Sequence, residues 1–371
     1  MSWELVSLRD ITINLDNKRK PLNENERNRI SNKKLYPYIG ANNILSYVDE
    51  YIFDEEILCI AEDGGSWGEN QKCCFYVNEK CWVNNHAHVL KSNGLASLKY
   101  IMYYLNMANL NSYITGSTRG KLTKSALESI QIPLPPLPVQ KRIAEILDAA
   151  DALRRKDLEL LNKYDELAQA IFIDMFGDPV KNEKGWEVKE LKDVCVKITD
   201  GTHHTPSYVS TGVPFLRVTD ITGSSDSKKY ISTAEHNELI KRCNPEYGDV
   251  LYTKNGTIGI AKAVDWNYDF SIFVSLCLLK INKKLLRAKF VEYFLNTPLA
   301  LRQALKHSKT GTVTNLHLVE IKSIKIPVPP IHVQDEFIDQ LTLISENENV
   351  SQHSDMLFSS LLQKAFKGEL C

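Results

Sequence analysis

Three stretches of the 371-residue sequence contain residue types that could do chemistry, and each departs from the pattern that its chemistry requires. Residues 116–122, GSTRGKL, are similar to a phosphate-binding P-loop, but the glycines stand one residue too close together. Leu122 also replaces the Ser or Thr that would bind Mg²⁺. A turn whose basic side chains contact phosphate fits this stretch better than a nucleotide site does.

The other two stretches are similar to parts of nucleic-acid enzymes. Residues 244–247, NPEY, resemble the Asn-Pro-Pro-Tyr motif of amino-methyltransferases, but no Gly-rich loop for S-adenosylmethionine is visible. Glu190 and Lys192, with Asp178 upstream, resemble a nuclease carboxylate–lysine set. Because Glu190 and Lys192 lie in a segment that the sequence repeats, a structural role fits them better. We therefore predict no catalytic residues in this chain.

Two groups of residues suggest a metal site. The first group is Cys73, Cys74, Cys81, His86 and His88. Adjacent cysteines are poorly spaced as zinc ligands, and no matching CxxC pair follows. His203 and His204 form the second group, but neighbouring residues of an extended chain point to opposite sides. We predict buried thiols and strand histidines in the first group, a ligand-facing loop in the second, and no metal or cofactor in either.

Loops rich in Gly, Ser, Thr and Asn, with scattered basic and aromatic residues, occur at matching places in the two halves of the chain. Such side chains suit hydrogen bonds to phosphates and to base edges. In the first half the candidate DNA-contacting residues are Lys18, Arg19, Lys20, Asn42, Asn43, Ser66, Trp67, Asn85, His86, Ser117, Thr118, Arg119 and Lys121. In the second half they are Thr202, His203, His204, Arg217, Thr219, Lys254, Asn255, Thr257, Lys309, Thr310 and Thr312.

The net charge of −1 hides an uneven distribution along the chain. Residues 180–328 carry 22 basic and 15 acidic residues, whereas residues 136–179 carry 6 and 9, and residues 329–371 carry 2 and 7. A basic globule is a suitable partner for phosphate, and acidic segments are better suited to protein.

The sequence contains an internal duplication. Residues 132–148, IPLPPLPVQKRIAEILD, return 194 positions later as residues 326–342, IPVPPIHVQDEFIDQLT. Residues 3–8, WELVSL, return as residues 186–191, WEVKEL. Similarity at a long fixed spacing indicates two copies of one structural unit.

Each copy begins with a globule of mixed secondary structure. Short β-type runs bounded by Gly, Asn and Asp occur at residues 51–60, 213–218, 249–253 and 271–281. Helical stretches follow at residues 98–109 and 288–306. The globules are therefore predicted to be α/β or α+β.

Each globule is followed by a long helix with a heptad pattern. In the first helix the a positions are Ile143, Ala150, Asp157, Tyr164 and Ile171, and the d positions are Ile146, Leu153, Leu160, Leu167 and Asp174. In the second helix the core positions are Phe337, Ile344, Phe358, Leu361 and Ala365, with a polar middle at Asn347, Ser351 and Ser354. Gly177 with Pro179, and Gly368, are predicted to end the two helices.

We expect these helices to pair in an antiparallel coiled coil within the chain. The predicted fold is two globular domains, related by a pseudo-two-fold internal repeat and separated by two long antiparallel coiled-coil helices. The predicted parts are residues 1–135, the first globule; 136–179, the central helix; 180–328, the second globule; and 329–371, the C-terminal helix.

The chain resembles the specificity (S) subunits of type I restriction-modification systems over essentially its whole length. The resemblance rests on residues 199–206, TDGTHHTP, residues 248–251, GDVL, and residues 256–259, GTIG. It also rests on the two Ile-Pro-x-Pro-Pro steps and on the ending SLLQKAFKGEL at residues 360–370.

This resemblance implies two target recognition domains, each reading one half of a split, asymmetric site in double-stranded DNA. The helices would set the spacing and dock two methyltransferase subunits, and restriction subunits would complete the complex. Adenine methylation and ATP-driven cleavage would belong to the partners, which would hold S-adenosylmethionine, ATP and Mg²⁺. The residues expected to contact partner subunits are Gln140, Ile143, Leu147, Gln334, Phe337 and Leu341.

Two other functions stay open at this point: a coiled-coil scaffold whose globules bind protein or glycan, and a self-contained methyltransferase or nuclease. The first ten residues, MSWELVSLRD, show no signal-peptide pattern. The longest apolar run, residues 270–281, is strand-like and too short to span a bilayer. We therefore expect a soluble cytoplasmic protein.

Overall fold

The computed structural model describes residues 3–116, 118–178, 181–223, 228–306 and 315–370, but not the side chains of residues 347–353. The chain divides into two compact units. Unit 1 comprises Met1–Leu161 with Asn349–Cys371, and unit 2 comprises Asn162–Glu348. Since each unit takes a share of both long helices, the four-part division made along the sequence stays a prediction.

The globule of unit 1 contains eleven short strands and four short helices in its described residues. In chain order they are β1 (Leu5–Ser7), α1 (Leu8–Ile11), β2 (Thr12–Asn14), α2 (Glu24–Arg29), β3 (Tyr36–Ile39), β4 (Ile44–Val48), β5 (Ile57–Ala61), β6 (Cys74–Val77), β7 (Trp82–Val83), β8 (Ala87–Ser92), α3 (Leu98–Met107), β9 (Ile114–Thr115), β10 (Lys121–Leu122), α4 (Lys124–Ser129) and β11 (Gln131–Pro133). The first long helix, α5, spans Leu137–Phe176.

The globule of unit 2 follows the same plan. Its elements are β12 (Val188–Glu190), α6 (Leu191–Val194), β13 (Cys195–Asp200), β14 (Tyr208–Val209), β15 (Val213–Leu216), α7 (Val218–Thr222), β16 (Tyr230–Ile231), α8 (Thr233–Leu239), β17 (Val250–Thr253), β18 (Ala261–Ala263), β19 (Ser271–Ile272), β20 (Leu276–Ile281), α9 (Ala288–Leu295), α10 (Pro298–Leu305), α11 (Leu318–Lys322) and β21 (Lys325–Pro327). The second long helix, α12, spans Ile331–Lys367.

The sheet topology confirms the internal repeat. Each globule has a four-stranded antiparallel sheet, in the order β2-β8-β5-β6 in unit 1 and β13-β20-β17-β18 in unit 2. A second sheet, of three strands in unit 1 and four short strands in unit 2, adds one parallel pair in each unit, β3 with β7 and β15 with β19. Antiparallel ribbons, β1 with β11 and β12 with β21, join the entry of each globule to the strand before its proline step. The mixed α/β prediction is therefore confirmed for both copies.

Two predicted elements are broken in the structure. The run 271–281 forms two strands, because β19 pairs with β15 in one sheet and β20 pairs with β13 and β17 in the other. The stretch 288–306 forms two helices. Thr297 caps the second, its hydroxyl accepting from the N–H of Ala300 at 3.3 Å, and Pro298 takes the first turn. A proline lacks the N–H that a helix interior needs, so it begins a helix there instead of continuing one.

The long helices end where the sequence predicts. Gly177 and Gly368 both have a φ of 76°, the left-handed conformation that glycine adopts without a Cβ clash. In unit 1, Ile143 and Leu147 of α5 pack with Leu362 and Ala365 of α12. Farther along α5, the guanidinium of Arg154 lies 4.6 Å from the ring centroid of Phe358. Because one residue number rises as the other falls, the segments are antiparallel within this unit.

The predicted d positions of α5 are wrong. Leu153 and Leu160 are 46% and 41% exposed, and Leu167 is exposed too. The less exposed positions instead follow steps of four and three residues, starting with Ile143 and Leu147. The second row of the apolar stripe therefore lies one residue later in the sequence than the predicted d positions. The globule contributes to this choice of face, since α3 covers the same side of α5: the Tyr103 hydroxyl donates to Asp148 at 2.8 Å.

The polar middle predicted for α12 falls mostly on undescribed side chains. Those of Asn347 and Ser351 lie outside the described set, while Ser354 is buried. The backbone is helical throughout Ile331–Lys367. Among the described residues, no helix is long and apolar enough to cross a membrane.

Candidate nucleic-acid interface

In unit 1, three loops converge at one end of the four-stranded sheet, where β5 ends and β8 begins. The N–H of Glu62 donates to the carbonyl of His86 at 2.9 Å, and the N–H of Leu122 donates to the carbonyl of Glu62 at 2.8 Å. The N–H of Gly64 donates to the carbonyl of Gly120 at 3.2 Å. These backbone bonds bring residues 62–67, 84–87 and 118–121 together.

The converging loops carry cations held by an acidic pair. Arg119 donates to Asp63 at 2.6 Å, and Nδ1 of His86 lies 2.9 Å from the same carboxylate. Lys121 pairs with Glu62 at 3.1 Å. The side chains of Arg119 and Lys121 are 66% and 50% exposed, so both stay available to an anionic ligand. An oriented, exposed cation is suited to a phosphate contact.

The basic run predicted near residue 18 is not one surface. Arg19 is nearly buried, and its guanidinium donates to Glu62 at 2.6 Å and to the carbonyl of Ala87 at 2.7 Å. Lys18 pairs with Glu55 at 3.3 Å, and the ammonium of Lys20 lies 5.8 Å from the ring centroid of Trp82. Arg19 is therefore placed to position the loops, and the structure does not bring Lys18 to them.

The remaining predicted residues of unit 1 divide into exposed and buried ones. Asn42 reaches the site by donating to the carbonyl of Gly64 at 3.4 Å, and Asn43, Ser66, Asn85 and Thr118 are exposed. The ring of Trp67 is buried in the core, so its predicted contact with DNA is replaced by a structural role. A Cβ on Gly120 would come within 3.0 Å of that ring. Ser117 lies outside the described residues.

The cysteines and histidines considered as zinc ligands contact other groups in the structure. Cys73 and Cys74 are buried against Asn106, whose side-chain oxygen accepts both of their backbone N–H groups. His88 is buried and contacts Asp16 instead of a cysteine. Across the described ranges there is no group of three or more His, Cys, Asp or Glu residues arranged to hold a metal ion.

In unit 2 the corresponding end of the sheet is organised by the buried carboxylate of Asp200. Lys254 Nζ lies 3.2 Å from Asp200, His203 Nε2 also lies 3.2 Å away, and Arg242 donates to the other carboxylate oxygen. Burial raises the pKa of Asp200, the bonds from Lys254 and His203 lower it, and the net pKa is below the ordinary value. The carboxylate is thus ionised at neutral pH and fixes three cationic or polar donors.

Residues 201–204 and Arg242 line a cavity of about 390 Å³ in unit 2. A Cβ on Gly201 would come within 2.0 Å of the carbonyl oxygen of Ile272, so only glycine fits this close approach. The chain then exposes His203 and His204, while Thr202 is buried and bonds to Ile272 through its backbone N–H at 3.1 Å. The predicted loop therefore has one structural residue followed by two exposed ones.

The loop after β17 repeats the backbone contacts of unit 1. The N–H of Leu316 donates to the carbonyl of Lys254 at 2.7 Å, as Leu122 donates to Glu62. Lys254 is buried and Asn255 half-buried, whereas Thr257 is exposed. Arg217 pairs with Asp220 at 3.1 Å, and Thr219 is half-buried beside it. Lys309, Thr310 and Thr312 lie outside the described residues.

Four residues of these sites were absent from the predicted set: Glu62, Asp63, Asp200 and Arg242. Asp200 lies in the TDGT motif, and Glu62 and Asp63 precede two consecutive glycines. Local sequence patterns therefore marked these three residues. Arg242 reaches Asp200 from 42 positions away in the sequence, and no local pattern marks it.

Most of the residues predicted to contact partner subunits are buried near the starts of α5 and α12. Gln140 is fully buried, donating to the carbonyl of Pro135 at 2.8 Å and accepting from the N–H of Ser97 at 2.9 Å. Gln334 has the matching role in unit 2. The other residues of this set are Ile143, Leu147 and Phe337, which are fully buried, and Leu341, which is partly buried. The five buried side chains leave no surface for a partner, and their burial indicates a structural role.

Two copies of one mixed α/β unit, each with different polar loops converging at the same end of the same sheet, define a duplicated recognition protein. The chain belongs to the family described as type I restriction modification DNA specificity domain, which matches residues 1–167 and 183–353. Proteins of this family are the specificity subunits of type I restriction-modification systems, and they are non-catalytic, because catalysis lies in partner subunits.

The chain is 29% identical over 351 residues to a Haemophilus influenzae protein described as a type I restriction enzyme specificity subunit, covering 88% of this chain and 83% of the relative. It is 24% identical over 394 residues to the EcoKI specificity subunit of Escherichia coli, covering 90% and 82%. The crystal structure of a type I restriction-modification S subunit from M. genitalium has the same fold, with a TM-score of 0.65 at 14% identity over 99% of this chain and 96% of that one.

Proposed function

We propose that each unit reads one half of a two-part site in double-stranded DNA, through the loop cluster at the end of its four-stranded sheet. The observation that carries the proposal is the shared backbone frame of the two clusters, in which Leu122 bonds to Glu62 and Leu316 to Lys254. On this frame unit 1 displays Arg119, Lys121 and His86, and unit 2 displays other side chains. One scaffold with different polar tips suits reading two different base sequences.

Within each cluster the exposed and buried residues have separate roles. Exposed side chains such as Arg119, Lys121, His203 and Thr257 contact phosphates and base edges. Buried ones such as Lys254 hold the loops in place for those contacts. The excess of basic residues in 180–328 supports a phosphate-facing surface.

The long helices dock methyltransferase subunits of the same system. In unit 1 they expose Met356 and Leu357 of α12, and Leu153 and Leu160 in a row along one face of α5. Apolar side chains in such a row mark an interaction surface. Membership of the specificity-subunit family makes the methyltransferase subunit the partner that fits this surface. The partners, two methyltransferase and the restriction subunits, bring S-adenosylmethionine, ATP and Mg²⁺ to the complex.

The first test is a map of modified adenines across the host genome, with and without the gene for this chain. The expected result is loss of methylation at one motif made of two short half-sites with a fixed gap. An unchanged pattern, in cells shown to express the chain with its partner subunits, would contradict the proposal.

A second test addresses the docking surface. Leu153→Asp with Leu160→Asp should prevent co-purification with the methyltransferase subunit while leaving the circular dichroism spectrum unchanged. Arg155→Asp, which makes the same change in net charge at an exposed position on the opposite side of α5, is the matched control. Full co-purification of the double variant would exclude this surface.

A further inference from the structure

His88 has hydrogen-bond acceptors at both ring nitrogens. Its side chain is buried, Nδ1 lies 2.6 Å from Oδ2 of Asp16, and Nε2 lies 2.8 Å from the carbonyl oxygen of Leu122. A carbonyl oxygen only accepts hydrogen bonds, and so does an ionised carboxylate. Asp16 also accepts from the N–H of Val89 at 2.8 Å and from the side-chain amide of Asn14 at 3.1 Å, and Arg19 lies 3.5 Å away, so donors other than His88 hold its carboxylate ionised. A neutral imidazole has a proton for only one of these two acceptors.

We propose that His88 is a doubly protonated imidazolium at neutral pH and that this buried cation positions the DNA-reading loops of unit 1. Both ring nitrogens then donate, and each acceptor is satisfied. Its effect is indirect, because the ring lies beneath the loops and is not exposed to a ligand.

Comparison of the two units relates the charge of His88 in unit 1 to the ammonium of Lys254 in unit 2. In the strand register, Ile60 lies opposite His88 in unit 1, as Tyr252 lies opposite Cys277 in unit 2. Asp200 lies opposite Cys277, and the register of β2 with β8, continued two residues beyond Asn14, places Asp16 opposite His88, so Asp200 corresponds to Asp16.

The two units differ again at the residue that directly follows β5 in unit 1 and β17 in unit 2. Glu62 in unit 1 corresponds to Lys254 in unit 2, because their backbone carbonyls accept equivalent hydrogen bonds. The donor is the N–H of Leu122 in unit 1 and the N–H of Leu316 in unit 2. In unit 2 the acid has its cation directly, with Lys254 Nζ 3.2 Å from Asp200. In unit 1 the same two places hold two acids, Asp16 and Glu62, which need cations from elsewhere.

Arg19, which lies 3.5 Å from Asp16, and Lys121 meet part of this need, and a charged His88 ring adds a third cation beside the two acids. From the turn after β2 come Asp16 and Arg19, and from the end of β5 comes Glu62, whose Oε2 lies 3.9 Å from Nδ1 of His88. Arg19 pairs with Glu62 at 2.6 Å, and Lys121 of β10 pairs with it at 3.1 Å. Buried carboxylates are stable when they are paired and hydrogen-bonded.

The bond from His88 to Leu122 connects this charge to the recognition loops. Leu122 follows Lys121 in β10, and its N–H donates to the carbonyl of Glu62. Loss of one proton would leave a ring lone pair facing Leu122 or Asp16, which is repulsive. The loop with Arg119 and Lys121 would then lose its fixed position. This consequence rests on the proposed function, whereas the protonation state does not.

The protonation state is measured on the unmodified full-length chain with ¹⁵N-labelled histidine. Long-range ¹H–¹⁵N spectra at pH 7 should show both His88 ring nitrogens as N–H, with the signals assigned by their loss in His88→Gln. One ring nitrogen with the shift of a lone-pair nitrogen would overturn the proposal. His332→Gln, an exposed histidine of α12, controls the assignment.

The consequence is measured on the complex with its methyltransferase subunit, using duplexes in which one half-site at a time is changed. Loss of this proton at higher pH should weaken discrimination at the half-site assigned to unit 1 by at most about tenfold per pH unit, the limit for one linked proton. The histidines of the two loop clusters, His86, His203 and His204, are also present in His88→Gln, so the pH dependence of that variant is the baseline for both half-sites. His88→Lys, which keeps a cation, should remove this pH dependence, and His88→Gln should weaken discrimination at every pH.

Failure of the inference and failure of the proposed function give different results. A charged His88 with constant discrimination at both half-sites would overturn the link to DNA reading. A complex that binds no two-part duplex at any pH would overturn the proposed function and leave the spectroscopic result intact.

Discussion

The side-chain oxygen of Gln140 accepts a hydrogen bond from the N–H of Ser97, the N-cap residue of α3, at 2.9 Å. Its amide nitrogen donates to the carbonyls of Pro135 and Leu95, at 2.8 and 3.2 Å. One glutamine thus ties the proline step, the start of α5 and the start of α3 together.

Gln334 repeats this arrangement in unit 2. It accepts from the N–H of Arg287, the N-cap of α9, at 2.8 Å, and donates to Pro329 and Leu285 at 2.8 and 2.9 Å. The repeated Pro-Pro-x-x-x-Gln pattern therefore has a structural cause. It fixes the start of each long helix to the start of a helix in its globule, α3 in unit 1 and α9 in unit 2.

Gln140→Ala should destabilise unit 1 by roughly 2 kcal/mol, because it removes a partner from the buried carbonyl of Pro135 and from the partly buried N–H of Ser97 and carbonyl of Leu95. Denaturant unfolding monitored by circular dichroism measures the change. Gln169→Ala, at an exposed glutamine of α5, is the matched control and should change stability little. Equal stability of the two variants would contradict the structural role of Gln140.

Arg119→Ala and Lys121→Ala should each weaken DNA binding with little change in stability, because both side chains are exposed and their acidic partners keep other donors. Loss of a phosphate contact should also lower the slope of log affinity against log salt by about 1. Fluorescence anisotropy over a salt series measures both effects. Lys91→Ala, whose ammonium bonds to Glu55, is the control. An unchanged slope for both site variants would remove them from the interface.

Much of the fold could be predicted from the sequence, because the duplication and the helix stops are local patterns. The second row of the α5 stripe could not, since it depends on which side of the helix α3 covers. The exposed cations were predicted from loop composition. Arg19, Trp67 and Lys254 have the residue types of contact residues but are buried, and composition does not report burial. Arg242 required the tertiary structure, because only the fold brings it to Asp200.

Lys254→Met should destabilise unit 2 by about 3 kcal/mol, since it leaves the buried Asp200 with only Arg242 and His203. Combining it with Asp200→Asn should recover part of this loss, because the uncompensated charge is then removed. Unfolding measured on all three variants gives the coupling energy. Additive effects of the two substitutions would contradict a direct Asp200–Lys254 pair.

Acid should destabilise both units. Asp16, Glu62 and Asp200 all have a pKa below the ordinary value, since hydrogen bonds and nearby cations outweigh the effect of burial. Their stabilisation is complete above the unfolded-state pKa near 4, and it is lost as the pH falls through the folded-state values. Thermal unfolding between pH 7 and 3 should show this decline. Asp200→Asn should flatten the acid limb for unit 2 alone, and an unchanged slope would contradict the assignment.

Substitutions in the two units should affect the two half-sites independently. Arg119→Ala should relax or weaken recognition at one half-site, and Thr257→Ala at the other, because each residue belongs to the cluster of its own unit. Binding of the subunit complex to duplexes that vary one half-site at a time measures each effect. For positions without shared partners, the free-energy changes of the double variant should add within about 0.5 kcal/mol. If either variant changed the preference at both half-sites, one unit would not read one half-site, and the division of recognition proposed for this chain would fail.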